Sequence, residues 1–143
     1  MNFTDFITNT GKRINKEYFV NLIQVSKVDG KINDTELELL HKEGKKFGLT
    51  DPEIDKLINT ESHNHYHAPY SLAEKFEHLY NVTVMVLADE VVTESEKKMI
   101  RKFAIEAGFN DQVVEGVMQL LLEGVAKGEE EEKLLKDFKK KFL

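Results

Sequence analysis

Seven carboxylate side chains lie at matching places in the two halves of this 143-residue chain, and they are the first candidates for chemistry. They are Asp29, Asp34 and Glu36 in the first half, and Asp89, Glu90, Glu94 and Glu96 in the second. Carboxylate oxygens are the ligands that hard divalent cations such as Ca²⁺ and Mg²⁺ prefer. The pattern therefore predicts these residues as metal ligands and a divalent cation as the cofactor.

The two acidic groups lie in segments that match at a constant offset of sixty residues, namely 29–51 and 89–111. At this offset Asp29 corresponds to Asp89, and Glu36 corresponds to Glu96. Duplication of one helical unit is the simplest explanation of such a match.

The first acidic segment has the glycine and glutamate spacing of the second half of an EF-hand loop. That loop also needs oxygen ligands at its first and third positions, where this chain has Val25 and Lys27. The second segment has Met85 and Leu87 at those positions. Neither segment is therefore a standard EF-hand calcium site.

Both segments resemble the TerB-like family, the helical domains associated with tellurite resistance that also occur at the front of a membrane-bound J-domain co-chaperone. Over roughly residues 15–125, the matching motifs are Val28-Asp29-Gly30 with Glu36 and Gly48-Leu49, and Ala88-Asp89-Glu90 with Glu96 and Gly108-Phe109. Glu90 stands where the family has glycine. The resemblance implies an all-α domain that binds metal through acidic residues and acts in stress response or assembly.

The same carboxylates also have a purely structural interpretation. Asp29 and Asp89 each follow a predicted helix, where a carboxylate is disfavoured by about 0.3–1 kcal/mol. Each aspartate can offset this cost by accepting amide hydrogen bonds from the turn that follows. In that case Glu36 and Glu96 only cap the next helices. This interpretation and metal binding are compatible, and both stay open.

Three alternating histidines, His63, His65 and His67, form a second candidate metal site. In an extended segment their imidazoles project from one side, as a transition-metal chelate requires. The competing interpretation is a polar, solvated linker between the two repeat units, over about residues 60–70.

Helical periodicity extends over almost the whole chain, and no alternation typical of strands competes with it. Capping-box pairs predict helix starts at Asn33 with Glu36 and at Thr93 with Glu96. We predict an all-α bundle of seven or eight helices in a single domain, residues 1–143. Its repeat units span about residues 16–60 and 76–120.

Apolar positions predict which side chains form the core of this bundle. The matched core positions of the two units are Leu22, Val25, Leu40, Val82, Met85 and Ile100. Leu37 and Leu40 are predicted to share the apolar face of the helix that Asn33 begins. A final helix over residues 129–142 is expected to lay Leu134 and Phe138 on the bundle, although its basic amphipathic character also suits an anionic membrane surface.

Composition limits the classes of function. The chain has no cysteine, which excludes disulfides and thiolate metal sites and fits a reducing compartment. No signal peptide or membrane-spanning run is visible, so the sequence predicts a cytoplasmic protein. A formal net charge of −6 disfavours nucleic acid as a partner.

Two functions of different class follow from these features. The first is a non-enzymatic TerB-like module that binds a divalent metal through its acidic turns. The alternative is a protein-interaction domain without metal, in which a groove between the two repeat units receives a partner helix. An enzyme is not predicted, because the sequence has neither a serine nucleophile elbow nor a phosphate-binding glycine loop. The partner is expected to be another protein in both cases.

Overall fold

The chain folds as an all-α bundle preceded by one short hairpin. A computed structural model describes residues 3–61, 63–88 and 91–143. Within these ranges the elements are β1 (Phe6–Ile7), β2 (Arg13–Ile14), α1 (Glu17–Ser26), α2 (Asp34–Lys45), α3 (Asp51–Glu61), α4 (Leu72–Leu87), α5 (Glu94–Ala107), α6 (Asp111–Ala126) and α7 (Glu131–Phe142). The predicted all-α class is confirmed. The duplication stays a prediction.

Local capping signals place the two helices that matter most for the site. Asn33 Oδ1 accepts the amide of Glu36 at 2.8 Å, and Glu36 Oε1 accepts the amide of Asn33 at 3.1 Å. Thr93 and Glu96 make the same reciprocal pair, at 3.1 and 3.0 Å. Both predicted capping boxes are therefore confirmed at the starts of α2 and α5.

The predicted core is confirmed, with one error on α2. All six of the matched core residues are buried: Leu22, Val25, Leu40, Val82, Met85 and Ile100. Leu37, by contrast, is 37% exposed, and Leu39 is buried in its place. The physical reason is that α2 packs against α5 as well as against α1 and α3, so its buried face includes Leu39 on the side toward Met99 of α5.

The hairpin at the N-terminus was not predicted. Strands β1 and β2 pair antiparallel, with Phe6 opposite Ile14. Strands of two residues are too short to show the alternation by which sequence reasoning detects them. Tertiary packing stabilises the hairpin, because Ile14 is fully buried and Phe6 lies edge-on to Phe47.

The final helix packs against the bundle. Leu134 and Phe138 of α7 are buried, as predicted, and Phe138 packs on Phe76 of α4 at 5.8 Å between ring centroids. Within the described ranges, no helix combines the length and the apolar character that a membrane crossing requires.

Candidate functional site

The first acidic turn gathers two carboxylates around one ammonium group. Lys102 Nζ of α5 lies 3.0 Å from Glu36 Oε2 and 3.2 Å from Asp29 Oδ2. Glu36 Oε1 is already used by the capping box, so both oxygens of Glu36 have a donor. No amide of the described residues donates to Asp29, and the predicted brace of its own turn is therefore wrong.

The second acidic turn has a related arrangement around Glu96. Its side chain is 1% exposed, and its Oε2 accepts a hydrogen bond from Lys42 Nζ of α2 at 3.1 Å. Oε1 serves the capping box with Thr93. The predicted ligands Asp89 and Glu90 lie outside the described residues. Lys42 and Lys102 themselves differ by the sixty-residue offset, so each helix sends a lysine to the capping glutamate of the other.

The two remaining predicted ligands among the described residues, Asp34 and Glu94, take no part in these two ion pairs. Asp34 and Glu94 are exposed in the first turns of α2 and α5, and Glu94 Oε1 pairs only with Lys97 Nζ, at 3.4 Å. Among the described residues, no three histidine or carboxylate side chains are close enough to hold one metal ion. Metal binding by the seven carboxylates stays a prediction.

Lys102 is the residue at the first acidic turn that sequence reasoning missed. Burial disfavours its charge, but the hydrogen bonds that Lys102 donates to Glu36 and Asp29 outweigh this and raise the pKa of Lys102 above its ordinary value. The two carboxylates therefore favour the ammonium form of Lys102. The residues next to Lys102 in the sequence do not indicate that it pairs with Glu36, because Glu36 lies 66 residues away. The available signal was that Lys42 and Lys102 are identical residues at matching positions of segments 29–51 and 89–111.

A groove lies between these two helices. A cleft of about 460 Å³ has Thr35 and Leu39 of α2 on one side and Ser95 and Met99 of α5 on the other. An adjoining depression of about 390 Å³ shares Thr35, Leu39 and Ser95 with it and extends to Lys42. Together the two depressions are the α2–α5 groove. Its walls pair residues sixty apart in the chain, and the Lys102–Glu36 ion pair borders it.

The histidine tract is not assembled into a chelate. His63, His65 and His67 are all exposed, whereas Tyr66 between them turns inward. The Tyr66 hydroxyl and His78 Nδ1 share a hydrogen bond of 2.9 Å, and the Tyr66 ring packs on Phe103. The segment is therefore anchored by its tyrosine, and the secondary metal site stays a prediction.

A fourth histidine joins α2 to α3 through two aspartates. His41 Nδ1 lies 2.6 Å from Asp51 Oδ1, and His41 Nε2 lies 2.7 Å from Asp55 Oδ1. Carboxylates only accept hydrogen bonds, so the imidazolium is the ring form that satisfies both contacts. Burial opposes this charge, but the two aspartates outweigh it and raise the pKa of His41.

Comparison with known proteins does not assign the chain to a family. No protein-family model matches it, and no curated protein or solved structure is significantly similar to it. The TerB-like resemblance therefore stays a prediction that depends on the two acidic motifs alone.

Proposed function

We propose that this chain is a non-enzymatic protein-interaction module that binds a segment of a partner protein in the α2–α5 groove. The observation that carries the proposal is the groove itself, which lies between the two predicted repeat units. Its walls belong to helices that internal ion pairs hold together, so the surface is preformed and binding needs little reorganisation.

The groove chemistry favours binding over catalysis. Thr35 and Ser95 supply hydroxyl groups, but no histidine is among the described residues that line the groove. Activation of a hydroxyl nucleophile needs an adjacent base. The two carboxylates that line the main cleft, Asp29 and Glu36, are both paired with Lys102, which suits a structural role for them.

A blocked groove tests the proposal. A phage-displayed library of random peptides is panned on the full chain, and the enriched peptides are then measured against Thr35→Trp. Thr35 is exposed in the first turn of α2, so the indole fills the groove without entering the core. Gln119→Trp, at an exposed position of α6, is the matched control.

We expect the Thr35→Trp variant to lose binding of the enriched peptides while Gln119→Trp retains it. Circular dichroism establishes that both variants stay folded. If no enriched peptide distinguishes the two variants, the groove is not the binding surface and the proposal fails.

Divalent-cation binding, the TerB-like function, is the second candidate. One observation favours it: Asp29 and Glu36 converge on a single cationic atom, Lys102 Nζ. A metal ion at this place would have to displace that ammonium. Titration calorimetry with Ca²⁺, Mg²⁺, Mn²⁺ and Zn²⁺ on wild type and on Asp29→Asn/Asp89→Asn tests it. Equal heats for the two proteins would exclude the acidic turns as the metal site.

A further inference from the structure

Among the residues that the structure describes, three lysines line the main cleft of the α2–α5 groove, and one of the three has a carboxylate partner. Lys102 is held by Glu36 and Asp29. Lys31 and Lys98 are exposed and make no ion pair with any described residue. The cleft therefore offers two ammonium groups that are available to a ligand.

The charge of the cleft is opposite to the charge of the protein. Among the described residues that line it, there are three lysines and two carboxylates, and both carboxylates are already bound to Lys102. The nearby Asp34 and Glu94 are exposed but do not line the cleft. A positive cleft on a chain of formal net charge −6 is a local feature that overall composition does not explain.

From this charge complementarity we infer that the partner segment is acidic, an inference that rests on the protein-interaction function proposed above. Aspartate or glutamate side chains of the segment pair with Lys31 and Lys98. Leu39 and Met99 form the apolar floor beneath them. Complementary charge of this kind selects the partner and fixes its register in the groove.

An acidic peptide fits this surface better than a nucleic acid does. Phosphate-backbone binding needs a basic face of several free lysines or arginines. The chain has two arginines, and each is paired with a carboxylate: Arg13 with Asp5 at 2.7 Å, and Arg101 with Glu115. Two free lysines in a cleft are enough for a pair of carboxylates but not for a polyphosphate.

The net charge of the protein also limits how acidic the segment is. A long acidic tail would be repelled by the overall charge of −6 before it reached the cleft. A short segment with a few carboxylates next to apolar side chains avoids that repulsion. We expect such mixed acidic and apolar sequences among peptides that bind in the groove.

Charge reversal tests the inference on the full chain. An enriched peptide from the panning experiment is titrated into wild type, Lys31→Glu/Lys98→Glu and Lys136→Glu/Lys140→Glu. The last variant is the matched control, because Lys136 and Lys140 are exposed on α7 and the change in net charge is the same. Loss of two surface ion pairs lowers affinity on the order of tenfold in the cleft variant, whereas the control changes little.

A second experiment tests directly whether acidic residues of the peptide pair with Lys31 and Lys98. A version of the peptide with lysine in place of its acidic residues is expected to bind Lys31→Glu/Lys98→Glu more tightly than it binds wild type. Rescue by exchanged charges cannot result from a folding defect, and circular dichroism of each variant provides an independent check.

The outcomes separate this inference from the function on which it rests. The inference alone is overturned if the peptides that lose binding to Thr35→Trp carry no acidic residues. It is also overturned if those peptides bind Lys31→Glu/Lys98→Glu and wild type equally. Absence of any peptide that is sensitive to Thr35→Trp overturns both. Inorganic phosphate, an oligonucleotide and the free acidic peptide are also compared as competitors for the bound peptide. If phosphate or the oligonucleotide displaces it more strongly than the free peptide does, the ligand of the cleft is not an acidic peptide.

Discussion

Lys102 on α5 donates to Glu36 on α2 at 3.0 Å, so the residue that caps one helix is also the residue that ties it to another. Lys42 and Glu96 make the reverse connection, from α2 to the cap of α5, at 3.1 Å. Each capping glutamate uses one oxygen within its own helix start and the other between helices. The two reciprocal ion pairs therefore connect the starts of α2 and α5, which border the groove.

Removal of Lys42 is expected to destabilise the fold. In Lys42→Met the carboxylate of Glu96, which is 1% exposed, keeps only its Thr93 donors and loses its counter-charge. The expected cost is about 1–3 kcal/mol in the free energy of unfolding, measured by urea denaturation. Lys97→Met removes only an exposed pair with Glu94 and is expected to cost less than about 0.5 kcal/mol. Equal effects of the two substitutions would contradict the importance of a counter-charge for the buried Glu96 carboxylate.

His41 is expected to make stability depend on pH. Its pKa is raised in the folded state, so the stabilisation is complete below the ordinary value of 6.5 and is lost as pH rises through the folded-state pKa. Lys45 Nζ also pairs with Asp51 Oδ1, at 3.1 Å, so Asp51 has a second cationic partner beside His41. The measurement is the unfolding free energy of wild type and His41→Gln between about pH 5.5 and pH 9.

The test depends on the difference in unfolding free energy between wild type and His41→Gln at each pH, not on the wild-type curve alone. Burial lowers the pKa of His78, which gives the opposite slope, and this contribution cancels in the difference. The advantage of wild type over His41→Gln is expected to shrink as pH rises. An advantage that is constant or that grows with pH would show that His41 is not held as the imidazolium.

Gly44 is expected to tolerate no side chain. A Cβ at this position on α2 would lie 2.8 Å from Ile54 and 2.9 Å from Phe19, both fully buried. Gly44→Ala is therefore expected to cost about 1–3 kcal/mol. Gly116→Ala is the contrast, because the three atoms nearest to its Cβ would all belong to the Phe142 ring on the last turn of α7, which we expect to move aside. A smaller loss for Gly44→Ala than for Gly116→Ala would refute this packing.

Cation binding at the first acidic turn is expected to depend on Lys102. If Asp29 and Glu36 can hold a divalent ion, Lys102→Met removes the competing ammonium and strengthens the binding. Calorimetric titration of Lys102→Met with Mn²⁺ measures this, and Asp29→Asn in the same background is expected to reverse it. If wild type and Lys102→Met give the same Mn²⁺ titration, the first acidic turn does not bind a cation.

The features that the sequence predicts correctly depend on residues that are close to one another along the chain. Asn33 and Glu36 are three residues apart, so their capping box is visible in the sequence and is confirmed in the structure. The core positions Leu22 and Ile100 follow from helical periodicity in the same way. The fold class is therefore accessible without coordinates.

The features that sequence did not predict depend on distant contacts. Leu37 and Leu39 differ by two positions, and which of them is buried depends on how α2 packs against α1, α3 and α5 together. The lysine partners of Glu36 and Glu96 lie 66 and 54 residues away. Sequence placed carboxylates at the acidic turns, but the lysines that neutralise them come from the opposite helix.

The central claim, that the α2–α5 groove is a binding surface, is tested most directly by NMR. An enriched acidic peptide is titrated into the ¹⁵N-labelled full chain, and the shifts of the backbone amides are followed. We expect the largest shifts at the groove, including Thr35, Leu39, Ser95 and Met99. Shifts confined to α6 and α7, or no shifts at peptide concentrations that saturate binding, would contradict the claim.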